Sequence, residues 1–188
     1  VDWGAGSVFR KQEKQLFENF HQNAVHKDLD ETQPLVLHRG CIRPSWIDYN
    51  GHMTESRYLQ VFGDATDALL GYLGLDQEYL DSGFSVFTVE SHIRHLDEGA
   101  PGSNFVVKTQ LLGGDEKRLH IWHELLDQES GSLFATGEHM LLHVDTRAAK
   151  SCTMQSRLLS KSQQLRSLHQ SLKRPEAAGR SIALPSGN

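Results

Sequence analysis

The 188-residue sequence has no long apolar run, no cysteines at ligand spacing and no excess of basic charge. No stretch approaches the roughly 20 consecutive apolar residues that a helix needs to cross a bilayer, so no membrane association is expected. The two cysteines, Cys41 and Cys152, form no CxxC. They read as reduced thiols of a cytoplasmic protein, not as a disulfide framework. A formal net charge of −5 leaves no basic footprint for nucleic acid. The start, Val1-Asp2-Trp3-Gly4, is not a signal peptide. It also lacks an initiator Met, which suggests a trimmed chain or a piece of a longer polypeptide. No internal repeat or low-complexity tract occurs. What is present, 38% hydrophobic and 23% charged residues, suits one packed domain.

Hydrophobic periodicity divides the chain. Within residues 1–34, Phe9, Leu16, Phe17, Phe20 and Val25 recur at helical spacing and predict an amphipathic helix from about Val8 to Val25, with a linker over Asp28–Pro34. Leu35–Arg43 reads as a strand ended by Pro44. After a turn-rich stretch, Tyr58, Val61, Phe62, Ala65, Leu69, Tyr72 and Leu73 mark one face of a long helix, with Thr54 as N-cap and Gly74 at C′. The period then changes from 3.6 to 2. Strands are predicted over Phe84–Leu96, Asn104–Leu112, Lys117–Leu126 and Leu133–Val144, joined by short connections as an antiparallel meander. A terminal helix over Gln155–Leu172 and an extended tail from Gly179 follow. The expected organisation is an N-terminal helix and linker (1–34), a main domain (35–150), and a C-terminal helix and tail (151–188). Strand, long helix, four strands and helix make an α+β fold: a curved antiparallel sheet of about five strands wrapped around one central helix, known as a hotdog.

The motif Asp48-Tyr49-Asn50-Gly51-His52-Met53, with Tyr58 five residues on, resembles the signature of the 4-hydroxybenzoyl-CoA thioesterase-like hotdog family. There, Asp-x-Asn-x-His joins the first strand to the central helix. The resemblance covers about Val36 to Val144. It implies an acyl-CoA thioesterase without a cofactor, with its site at a dimer interface and Tyr58 among the substrate contacts.

Elementary chemistry supports the same residues. Thioester hydrolysis needs a carboxylate that attacks or deprotonates water, and positive potential where the carbonyl oxygen gains charge. Asp48 precedes a helix N-terminus, where unpaired amides and the helix dipole favour an anion. Gly51 permits close backbone approach to a ligand. Asp48 is the candidate nucleophile or general base, and Asn50 and His52 would orient water or the carbonyl. The competing reading makes Asn50-Gly51 a hairpin turn, which requires a strand after Gly51. Glu90, on the strand after the helix, is a second catalytic candidate by resemblance to the related plant-type acyl-ACP thioesterases, which have an acidic or Cys residue there, or else a solvent-facing strand residue; His92 shares its face. Arg94 and Lys117 are candidates for CoA phosphates, or solvated surface charges. The remaining histidines are scattered, without a carboxylate at metal-ligand spacing, so no metal is expected.

Arg43-Pro44-Ser45-Trp46-Ile47 upstream of the motif and the ending Arg174–Pro185 resemble the thioesterases of bacterial carnitine catabolism, which occur beside L-carnitine dehydrogenase or fused to it. That resemblance implies betainyl-CoA as substrate, with glycine betaine and CoA as products. A trimethylammonium head calls for aromatic faces. Trp46 and Tyr49 flank Asp48, and Trp122 and Phe87 are more distant candidates. Other readings are a different short or aromatic acyl-CoA, a hotdog hydratase, or a non-catalytic acyl-CoA binder. Hydration is disfavoured because His52 stands four residues after Asp48 and Gly51 follows Asn50, unlike the hydratase pattern. An exposed sheet edge predicts a homodimer or tetramer.

Overall fold

Apolar residues at helical spacing, flanked by Glu55 in the first turn and Gly74 past the last, make Glu55–Leu73 a helix, α1, in the computed structural model, which describes residues 29–184. The predicted Val8–Val25 helix lies outside the described residues. Tyr58, Val61, Phe62, Ala65, Leu69, Leu70 and Leu73 are buried along one stripe. Gly74 ends the helix in the left-handed region at φ 106°, where glycine has no Cβ to clash. Thr54 occupies the N-cap position, but its side chain makes no capping hydrogen bond, so half of that expectation fails. A short helix not foreseen from the sequence, α2 (Gln77–Asp81), is capped properly: Asp76 accepts from the Tyr79 N–H at 3.0 Å.

The strands are β1 (Leu35–Cys41), β2 (Phe84–His95), β3 (Asn104–Gly114), β4 (Arg118–Asp127), β5 (Leu133–Asp145) and a two-residue β6 (Lys150–Ser151), followed by α3 (Ser156–His169). They form one antiparallel sheet in the order β1-β3-β4-β5-β2, with β6 on the end of β5. The meander predicted through all four later strands holds only for β3, β4 and β5. The β2–β3 connection does not close a hairpin, because β2 pairs with β5 at the far side of the sheet. Its short turn sequence matched a hairpin, but pairing with β5 along almost the whole of β2 sets the position.

One sheet face packs on α1. Phe62 lies against the Gly137 backbone, and Thr66 meets His123 at 3.0 Å, so residues 123, 137 and their cross-strand partners face inward. The core has two parts. Around the C-terminal half of α1, Leu69, Leu70 and Leu73 pack with Leu111, Leu119, Ile121, Leu141 and α3's Leu158 and Leu165. Around its N-terminal half, Met53, Tyr58, Val61, Phe62 and Ala65 pack with Val107, Leu125 and Phe134. The α3 helix therefore docks beside α1 on the inner face. Its last residue, His169, accepts the Leu111 N–H through Nδ1 at 2.9 Å, on the stretch of β3 beyond its pairing with Leu35 of β1. The chain then reaches the outer face, where the Gly179 N–H donates to the Glu138 carboxylate at 2.9 Å.

Candidate active site

Between β1 and α1 the backbone folds on itself before the helix begins. A 3-10 turn at Pro44–Trp46 redirects the chain, and Ile47 and Met53 then face each other in an antiparallel bridge. The Asp48 N–H donates to the His52 carbonyl at 3.0 Å, and the Gly51 N–H donates to the Asp48 carbonyl at 3.1 Å. Gly51 has φ 84°, the left-handed residue that this three-residue loop requires. Both readings of Asn50-Gly51 are thus partly realised. It does make a hairpin turn, but the returning arm lasts only to Met53, and Thr54 N–H donates to the Trp46 carbonyl at 2.9 Å before α1 starts.

The turn presents the Asp48 side chain. Its Oδ1 accepts the Asn50 N–H at 2.8 Å, which fixes the plane of the carboxylate, and its Oδ2 has no hydrogen-bond partner among the described residues. The donor that orients the carboxylate is therefore a backbone amide within the turn itself. Asn50 contributes that N–H, and its side chain is exposed. His52 Nε2 meets Glu98 Oε2 at 2.8 Å, tying the turn to the β2–β3 connection. Both side chains are substantially exposed, so the pair adds orientation more than stability. Glu98 had no local sequence signal, because only the fold brings residue 98 next to residue 52.

The other candidates are dispersed around this turn. Tyr58 is buried one turn into α1, its ring edge-on to His95 at 4.6 Å, and burial raises the pKa of its hydroxyl. Trp46 stacks with Phe105, centroid to centroid 6.4 Å, and carries the Arg43 and Arg57 guanidinium groups at 5.7 and 5.8 Å from its ring centre. A quaternary ammonium would compete there with cations already in place. Tyr49 is 96% exposed and offers a free ring. Trp122 is buried, while Phe87 is exposed on the outer side of β2.

Glu90 is not brought to Asp48. Its partner across the ladder is Met140, and both face the outer side of the sheet. There it lines a cavity of about 230 Å³ with His92, His120, Glu138, Arg180 and Ser181. The bulge at Val89 sets this orientation; the alternation before it would have placed residue 90 inward. Among the described residues, no group of three or more His, Cys, Asp or Glu side chains is placed to hold a metal ion. No helix among them is long and apolar enough to cross a membrane.

Comparison with known proteins agrees with this architecture. A betainyl-CoA thioesterase from Pseudomonas aeruginosa is 43% identical over 155 residues, covering 82% of this chain and 98% of the relative. The L-carnitine dehydrogenase/betainyl-CoA thioesterase of Rhizobium meliloti is 43% identical over 180 residues, covering 96% of this chain. The chain spans only 36% of that longer protein. A protein from Staphylococcus aureus solved in complex with CoA superposes with TM-score 0.75 at 26% identity, covering 87% of this chain and 99% of that one. The model of the Thioesterase-like superfamily matches residues 42–162, from the end of β1 into α3, and the chain belongs to that superfamily.

Proposed function

We propose that this chain hydrolyses an acyl-CoA thioester, and that betainyl-CoA is the substrate, giving glycine betaine and CoA. The observation that carries the reading is the Asp48 carboxylate, held by one backbone N–H and otherwise unengaged among the described residues. The similarity to the Pseudomonas aeruginosa betainyl-CoA thioesterase over nearly its whole length supports the choice of acyl group. In the proposed reaction Asp48 takes a proton from water as the water oxygen adds to the thioester carbonyl carbon. The tetrahedral intermediate then expels the CoA thiolate, which recovers the proton. Direct attack by Asp48, with hydrolysis of the resulting anhydride, gives the same products. Asn50 and His52 position water and carbonyl, Gly51 permits backbone approach, and Tyr58 lines the acyl side. Tyr49 supplies an aromatic face to the trimethylammonium group, and Trp46 does so if Arg43 and Arg57 move aside. Glu90, on the outer face, joins this site only if a second protomer supplies it.

The free edge of β2, with Phe87 and Val89 53% and 54% exposed, is the surface through which we expect a homodimer to form. Tetramer formation, a cytoplasmic location, and a link to L-carnitine dehydrogenase by fusion or pathway belong to the same proposal. The test is release of free thiol from a panel of acyl-CoAs, with Asp48→Asn alongside. Betainyl-CoA should be cleaved faster than acetyl- or benzoyl-CoA, and Asp48→Asn should lower the rate by at least about 100-fold. A variant with nearly full activity removes Asp48 from the chemistry, and equal rates with uncharged acyl groups remove betainyl-CoA as the specific substrate.

A further inference from the structure

The inner face of β2 carries His95, Ile93 and Ser91 in succession. His95 meets Tyr58, and Ile93 packs into the same core region as Ile47 and Met53, which close the Asp48 turn. Ser91 stands one pleat repeat further, about 7 Å along the strand from Ile93. It is exposed, it lies on the unpaired edge of the sheet, and its Oγ is 2.8 Å from Nδ1 of His139, a residue only 3% exposed.

The other imidazole nitrogen decides the direction of this bond. His139 Nε2 is buried without a hydrogen-bond partner among the described residues, 2.8 Å from where a Cβ on Gly137 would stand and close to Phe62. A proton on Nε2 would be a buried N–H with no acceptor, the rarer and costlier defect. A proton on Nδ1 leaves only a lone pair unmatched. Nδ1–H therefore donates to Ser91 Oγ, and the serine O–H is free to point outward. Burial lowers the His139 pKa to about 4, so the ring is neutral at pH 7. With Nδ1 already protonated, it has no lone pair facing Ser91 and does not activate the serine as a nucleophile. What remains is a hydroxyl whose lone pair is anchored and whose hydrogen is available.

We propose that Ser91 is a further substrate-contacting residue of the thioesterase site, its hydroxyl donating to the thioester carbonyl oxygen as negative charge develops there, with His139 as the positioning residue. The proposal rests on the hydrolase reading given above. No bond to Ser91 forms or breaks. Water adds to the carbonyl carbon, its proton passes through Asp48 to the departing thiolate, and Ser91 keeps its hydrogen throughout.

Thiol release from betainyl-CoA by the full chain tests this, with Ser91→Ala, Ser91→Thr, His139→Asn and His139→Leu measured beside wild type and Asp48→Asn. Removing one donor to a developing oxyanion lowers kcat by about 100-fold. Ser91→Ala should show that loss in kcat with KM nearly unchanged and an unaltered thermal melt. Ser91→Thr, which keeps the hydroxyl, should retain most of the rate. His139→Asn places an amide N–H near the position of Nδ1 and should exceed His139→Leu in kcat. A folded Ser91→Ala enzyme with wild-type kcat, while Asp48→Asn is inactive, overturns the assignment of Ser91 alone. Equal losses in Ser91→Ala and Ser91→Thr overturn it as well. A wild-type protein that releases no thiol from any acyl-CoA overturns the hydrolase reading and this assignment together.

Discussion

Two buried imidazoles stand four residues apart on the inner side of β5, His139 and His143, and they are wired differently. His143 uses both nitrogens. Its Nδ1 donates to the Cys152 carbonyl at 3.0 Å, and its Nε2 accepts from the Tyr79 hydroxyl at 2.7 Å. The same hydroxyl accepts the Gln155 N–H at 3.1 Å, so one connected network fastens α2 and β5 to the segment between β6 and α3. His139 uses one nitrogen, on the exposed Ser91, and leaves the other orphaned. Burial lowers both pKa values. A complete network is what a structural brace requires, because each missing partner costs stability. An incomplete one, retained beside an exposed edge strand, is expected where a side chain is held for a ligand.

Three measurements would break or sharpen this contrast. The largest effect is expected from Phe62→Ala. Phe62 stacks on His123 with ring centroids 5.7 Å apart and also meets His139 at 6.0 Å. Its loss should cost about 4 kcal/mol in a denaturant titration. The cavity left behind would admit water to His139 Nε2 and raise that residue's pKa toward its ordinary value. A cost below about 1 kcal/mol would mean that the site collapses around the deletion.

Next comes pH. The His139 pKa is held down to about 4 in the folded chain, while the unfolded chain titrates near 6.5. Between those values the unfolded state binds the proton and the folded state does not. Stability from His139 is therefore complete above pH 6.5 and is lost as pH falls toward 4, by about 3 kcal/mol. The melting temperature should fall across that window and fall less for His139→Asn. An unchanged slope in the variant would transfer the effect to the other buried histidines, His123 above all, whose pKa burial also lowers.

The smallest effect is expected at the brace. Tyr79→Phe leaves the Gln155 N–H and the His143 Nε2 lone pair unmatched, at a cost of about 2 kcal/mol. Because this network lies at the C-terminal end of α1, thiol release at a temperature where the variant is folded should equal that of wild type. A lowered kcat there would show that the two regions are coupled.

Much of the architecture was legible because it is written in period. The α1 stripe, the strand positions and the Gly74 stop follow from local spacing, and the observed ends lie within a few residues of those read from the sequence. Strand order was not legible, because pairing of β2 with β5 depends on contacts between distant segments. Within the candidate site, the turn that carries Asp48 could be read from consecutive residues. The side on which Glu90 projects could not, since a single bulged residue, Val89, reverses the alternation. His139 looked like one scattered histidine among several. Its significance lies in a missing partner, which appears only when the space around Gly137 and Phe62 is known.

The backbone bonds that shape the Asp48 turn all fall within the segment from Trp46 to Thr54, from the Ile47–Met53 bridge to the Asn50 N–H on the carboxylate. Closing so short a loop costs little chain entropy. The segment thus behaves as a cassette, with the conformation of its acid specified from within. Transplanted between a strand and a helix of similar separation in another scaffold, it would be expected to carry its geometry along.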